Sequence, residues 1–146
     1  MYYIINNNNV MISGNIEILK SYNLPINELP YDYENGKYIV VNEKLVINPN
    51  WEEEQKQKEK ERIKNLSLTK REVFLALYKA KKITPDVLKA KITNTEALIE
   101  FEYANEYFRG NSLIDSIGGM LGYTSDDLDY LFINKELPKQ LESEEK

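Results

Sequence analysis

The sequence predicts an α+β fold: a small N-terminal antiparallel sheet of two hairpins, a connector helix, and a C-terminal helical bundle carrying a helix-turn-helix-like unit. Three observations predict it. The first fifty residues set short apolar runs between Asn-rich turns, residues 51–65 turn almost wholly to charge, and helix-start signals recur from Thr69 onward. The 146 residues suffice for one compact domain with a core of its own.

Tyr2 to Ile5, the Asn6–Asn9 tract and Val10 to Ser13 read as strand, turn, strand, because Asn tolerates positive φ. A short helical or irregular stretch covers Asn15 to Asn23. Beyond two proline-bounded loops, Lys37 to Val41 and Lys44 to Ile47 form a second hairpin around Asn42-Glu43. The two hairpins are expected to pair into one sheet over residues 1–50, whose open edge offers a route to dimers.

The run WEEEQKQKEKERIKN holds five acids and five bases, with Glu52 to Lys56 and Glu54 to Lys58 at i,i+4 in the favourable order. It predicts an exposed connector helix over 51–66. A coiled-coil seam would need apolar a and d positions, which the run lacks.

The bundle is expected over 67–138, with helices at 69–82, 85–91, 94–108, 112–121 and 125–134. Thr69 with Glu72 and Thr93 with Glu96 have the spacing of capping boxes, repeated more weakly by Ser112 with Asp115 and Thr124 with Asp127, and Pro85 suits a first helical position. The charged tail at 139–146 is expected to be disordered.

Composition narrows the chemistry. The chain has no Cys and no His, which removes thiolate catalysis, His-based triads and the common zinc sites; carboxylate, Lys or carboxylate–magnesium enzymes remain conceivable. The expectation is a binding protein without catalytic residues, cofactor or metal. The first residues lack the basic start and apolar run of a signal peptide, and no apolar stretch approaches a membrane span, so the protein is expected to stay in the cytoplasm where it is made.

Gly118, Gly122, Leu128 and Leu131 match helix-turn-helix spacing, yet the second helix opens with Ser125, Asp126, Asp127 and Asp129, which would repel a duplex. The turn is architecture, and direct nucleic-acid binding is not expected. Asp127 and Asp129 as a metal-binding pair is the sharper reading; carboxylates complementing a helix N-terminus is the simpler one. The glycines lack the preceding strand of a phosphate loop, so close helix packing is expected there.

Charge is segregated. Residues 70–91 carry seven bases, including the patch Lys79, Lys81, Lys82, Lys89 and Lys91, against Glu72 and Asp86; residues 96–136 carry nine acids against Arg109 and Lys135. On a wheel for 94–108, Ala97, Leu98, Phe101, Ala104 and Phe108 face the core. Ile99, Tyr103 and Tyr107 run opposite, flanked by Glu96, Glu100, Glu102 and Glu106. Aromatic anchors within a charged rim resemble a binding hot spot, and a helix packed on both sides would show the same stripe. With Asp126, Asp127 and Asp129, these residues make up the expected partner-binding face.

The stretches LTKREVFLALYKAKKITP and LIEFEYANEYFRGNSLIDSIGGMLGYTSDDLDYLF resemble the C-terminal part of small prophage proteins found near tail genes. Within that setting the chain is similar to candidate anti-CRISPR proteins directed at type VI-A systems, whose effector is an RNA-guided RNA-cleaving enzyme. The resemblance implies a phage product that binds the effector protein. Two other readings are a tail or tail-fibre assembly protein, docking through the hairpins, and a small nucleic-acid-binding regulator using the basic segment.

Overall fold

A computed structural model describes residues 1–139 and shows an α+β chain that divides into two compact units, Met1–Gln57 and Lys58–Lys146. Residues 140–146, and with them nearly all of the tail expected to be disordered, lie outside the described residues.

In the first unit, β1 (Tyr2–Asn6) and β2 (Asn9–Ser13) form the expected hairpin, with Tyr3 opposite Ile12. Asn7 and Asn8 both take positive φ (49° and 63°), the left-handed pair that a two-residue turn needs to match strand twist. A one-turn helix, α1 (Ile16–Lys20), starts where the Asn15 side chain accepts from the Glu17 N–H, and it buries Leu19 beside Ile4 of β1. The short strand β3 (Asn27–Glu28) then adds antiparallel to β1, giving the order β2-β1-β3.

The second hairpin, β4 (Tyr38–Val41) and β5 (Lys44–Ile47), turns at Asn42-Glu43 as expected, again with both φ positive. It does not join the first sheet, which corrects the single-sheet expectation. β3 takes the place beside β1, and the second hairpin forms a separate two-stranded ribbon. Asp32 steadies its start: the Lys37 ammonium and the Tyr38 hydroxyl both donate to it at 2.8 Å, and both hydrogen bonds hold its carboxyl below the ordinary range. The helix α2 (Trp51–Lys64) runs through the division between the units and buries none of its residues, as its uniform polarity requires.

The second unit opens with β6 (Ser67–Thr69), followed by α3 (Lys70–Lys81), α4 (Pro85–Lys91) and α5 (Thr95–Tyr103). The chain then forms β7 (Glu106–Phe108), α6 (Ser112–Met120) and α7 (Ser125–Asn134). The strands β6 and β7 pair antiparallel, with Leu68 opposite Tyr107. Leu68, Leu77, Leu88, Phe101, Leu113 and Leu131 belong to one apolar core.

Two caps differ from expectation. Asn94, not Thr93, caps α5 by accepting from the Ala97 N–H, and Asn111, not Ser112, caps α6 by accepting from the Leu113 N–H. Asn outranks Thr as an N-cap and equals Ser, and in each case it is the Asn that lies immediately before the helix. The boxes at Thr69/Glu72 and Thr124/Asp127 form completely.

The α6–α7 hairpin has the expected helix-turn-helix-like form. Gly122 supplies the turn at φ +80°, and a Cβ on Gly118 would lie 2.6 Å and 2.8 Å from the two Leu128 methyl carbons. Only glycine lets α7 approach α6 this closely, which accounts for the small residue at that position.

The α7 terminus is tied to α3 by Lys135, whose ammonium lies 2.8 Å from Glu72. Lys135 and the backbone and hydroxyl donors of Thr69 hold the Glu72 carboxyl down to about 2, from an ordinary 4.5. A lowered carboxyl contributes stability that is complete above about 4.5 and is lost as pH falls through about 2. Glu72→Gln is therefore expected to unfold at lower urea than the wild type at pH 7. The gap should narrow steadily below pH 4.5, as read by urea midpoints across the pH range.

Candidate functional site

The helix expected over 94–108 ends at Tyr103, and this changes the site. Ala104 takes extended backbone (φ −66°, ψ 137°), the Asn105 carbonyl accepts from the Lys70 N–H, and the Lys70 ammonium caps the Glu102 carbonyl at 2.6 Å. A cation on the last carbonyls complements the negative end of α5. Residues 106–108 then pair with 67–69, so burial follows the two-residue period of a strand in place of the helical wheel.

Tyr107 and Phe108 consequently exchange roles. Tyr107, expected on the binding stripe, is 3% exposed and belongs to the core, and its hydroxyl donates to the Phe101 carbonyl at 2.8 Å. Burial pushes its phenol up to about 12, with the Glu100 carboxylate adding to the shift. Phe108, expected to face the core, is 49% exposed. Ile99 and Tyr103 remain on the surface of α5, one turn apart, at 53% and 77% exposure.

The acids divide into those held by internal partners and those that face water. Glu102 pairs with Lys89, and Asp127 accepts from the Thr124 N–H as the second half of its capping box. Asp129 accepts from the Arg109 Nε at 2.6 Å. Glu100 accepts from the Asn111 side chain at 2.7 Å yet stays exposed. Glu96, Glu106 and Asp126 are exposed and have no hydrogen bond or ion pair among the described residues. Two separate acidic regions result: the outer face of α5, continued by Glu106 on β7, and the first turn of α7.

Arg109, in the sequence one of two bases within an acidic stretch, is the one charged residue buried among those described. Its guanidinium donates to Asp129, to Asp115 at 3.0 Å, and to the Ser125 carbonyl and hydroxyl at 3.1 and 2.7 Å. One side chain thus joins β7, α6 and the start of α7, and orients the Asp-rich turn. A single Arg within an acidic stretch was the sequence signal available.

The basic patch does not act as one surface. Lys81 reaches the Leu121 carbonyl and lies over the Tyr123 ring, Lys82 covers the Tyr78 ring, and Lys89 is taken by Glu102. Lys79 and Lys91 are exposed. Beside the α5 face, a cleft of about 520 Å³ separates α5 from α6, bordered by Lys91, Asn94, Glu96, Glu100, Ser116 and Met120.

Among the described residues no group of three or more His, Cys, Asp or Glu is placed to hold a metal ion, and no helix is long and apolar enough to cross a membrane. No family model matches the chain, and neither curated proteins nor solved structures gave a match.

Proposed function

We propose that this chain works by binding a protein partner through the outer face of α5, with Ile99 and Tyr103 as apolar anchors and Glu96, Glu100 and Glu106 as the acidic rim. The observation that carries this reading is the pair of large apolar side chains left in water on a helix whose opposite side buries Phe101. Aromatic anchors beside a polar cleft supply contact area, and unpaired carboxylates favour a basic protein surface by complementary potential.

The sequence resemblance makes a type VI-A RNA-guided effector, with its basic RNA channel, the first partner to test, and supports reading the chain as a phage-encoded inhibitor acting in the cytoplasm of the bacterial host. A phage tail component is the second partner to test. Direct nucleic-acid binding has less support, because the α7 start carries only acids.

Size-exclusion co-elution with purified type VI-A effector, with and without guide RNA, tests the reading. A complex with the wild type is expected, weakened at least tenfold by Ile99→Ala with Tyr103→Ala, a loss typical of hot-spot anchors. The thermal midpoint of that double variant should stay near the wild type, since both side chains are exposed. Co-elution that survives both substitutions would remove the α5 face from the interface. Binding to a tail component but not to the effector would overturn the inhibitor reading.

A further inference from the structure

A second surface, distinct from the α5 face, lies along α3. Phe74, Leu75, Tyr78, Ile83 and Pro85 form the floor of an open groove of about 570 Å³, and its accessible surface is almost entirely apolar. Leu75 and Tyr78 are 39% and 49% exposed, on the outer side of a helix that buries Val73, Ala76 and Leu77. The floor runs along α3 from Phe74 to Tyr78 and on to Ile83 and Pro85, and the groove's whole lining on α3, from Lys70 to Tyr78, spans about 12 Å at 1.5 Å per residue.

The rim is cationic. Arg71 is exposed and has no acidic partner among the described residues. Lys70 spends its hydrogen bond on the neutral Glu102 carbonyl, and Lys82 lies 5.0 Å over the Tyr78 ring. The nearby acids do not offset them fully: the Glu72 carboxylate is engaged by Thr69 and Lys135, that of Glu102 by Lys89, and Asp86 in the first turn of α4 acts on Lys89 as well.

We infer that this groove binds an acidic amphipathic helix of a protein partner, its apolar anchors seated on Leu75, Tyr78 and Ile83 and its flanking carboxylates facing Arg71, Lys70 and Lys82. Anchors at i, i+4 and i+7 span about 10 Å, which fits the length of the groove along α3. A nucleic-acid strand fits less well. Bases need free aromatic faces, whereas Lys82 covers Tyr78, and Phe74 is tilted against Phe101 beneath Lys70. The floor also offers almost no polar groups with which to read a base edge.

The probe is a helical peptide of about fifteen residues with Leu at i, i+4 and i+7 between Glu residues, titrated into the full-length 15N-labelled chain. Amide shifts confined to residues 70–78, 83 and 84 are expected. Binding should weaken about tenfold when the probe's Glu residues become Lys, and by a similar factor for Arg71→Glu, an exposed change whose fold is checked by circular dichroism. No shifts at about 1 mM probe, the weak limit of specific binding, or shifts centred elsewhere, overturn the proposal. So do a Lys-flanked probe that binds equally well, a uridylate oligonucleotide that shifts the same amides more strongly, and self-association of the chain through these residues in sedimentation.

Discussion

Replacing Arg109 with Ala is expected to lower the stability of the second unit by about 2–4 kcal/mol, read as a drop in urea midpoint with little change in slope. The side chain is 6% exposed, and it is the shared donor to Asp129, Asp115 and Ser125. Its removal leaves the α7 start without an anchor and two carboxylates close together without their cation. Those carboxylates are 34% and 55% exposed, so water recovers part of the loss, and the figure sits toward the lower end of the cost of breaking a buried pair. Arg109→Lys should restore less than half, because an ammonium cannot direct separate donors to three groups. A loss under about 0.5 kcal/mol, the scale of an ordinary surface change, would mean that the α6–α7 unit holds its place by apolar packing alone.

Gly118→Ala should also destabilise, by about 1–3 kcal/mol, although Ala is the better helix former. The new methyl would enter the space of the Leu128 side chain, which is itself buried. Leu128→Ala alone is expected to cost about 2–5 kcal/mol, through the cavity it leaves. In the double variant the methyl occupies part of that cavity, so the combined loss should fall short of the sum by about 1 kcal/mol or more. Additive losses in denaturation would show that the contact between Gly118 and Leu128 does not set the helix separation.

The elements most legible in the sequence were those specified by local chemistry. Asn7-Asn8 and Asn42-Glu43 announced their turns through residues placed between apolar runs, and the Thr69/Glu72 and Thr124/Asp127 boxes fixed helix starts to within one residue. The part that was not legible depended on partners distant in the chain. β6 and β7 are three residues each, too short for alternation to register against a helical pattern, and the end of α5 is dictated by Lys70, more than thirty residues earlier. The same gap explains the site. Ile99 and Tyr103 were placed correctly because the helix persists through them, while Tyr107 was assigned to the stripe on a periodicity that had already ended. Pairing of the acids was equally hidden, since spacing along the chain does not reveal that Asp129 meets Arg109 or that Glu102 meets Lys89.

The pairing of residues 67–69 with 106–108 has a kinetic meaning as well. It closes a chain segment of about forty residues around α3, α4 and α5, and loop closure of that length must be met before the contacts it permits can repay it. Inside the segment, α3 and α5 carry side-chain N-caps of their own, at Thr69 and Asn94. The small two-stranded ladder is therefore one nonlocal step of the second unit, alongside the tie of Lys135 at the end of α7 to Glu72 of α3.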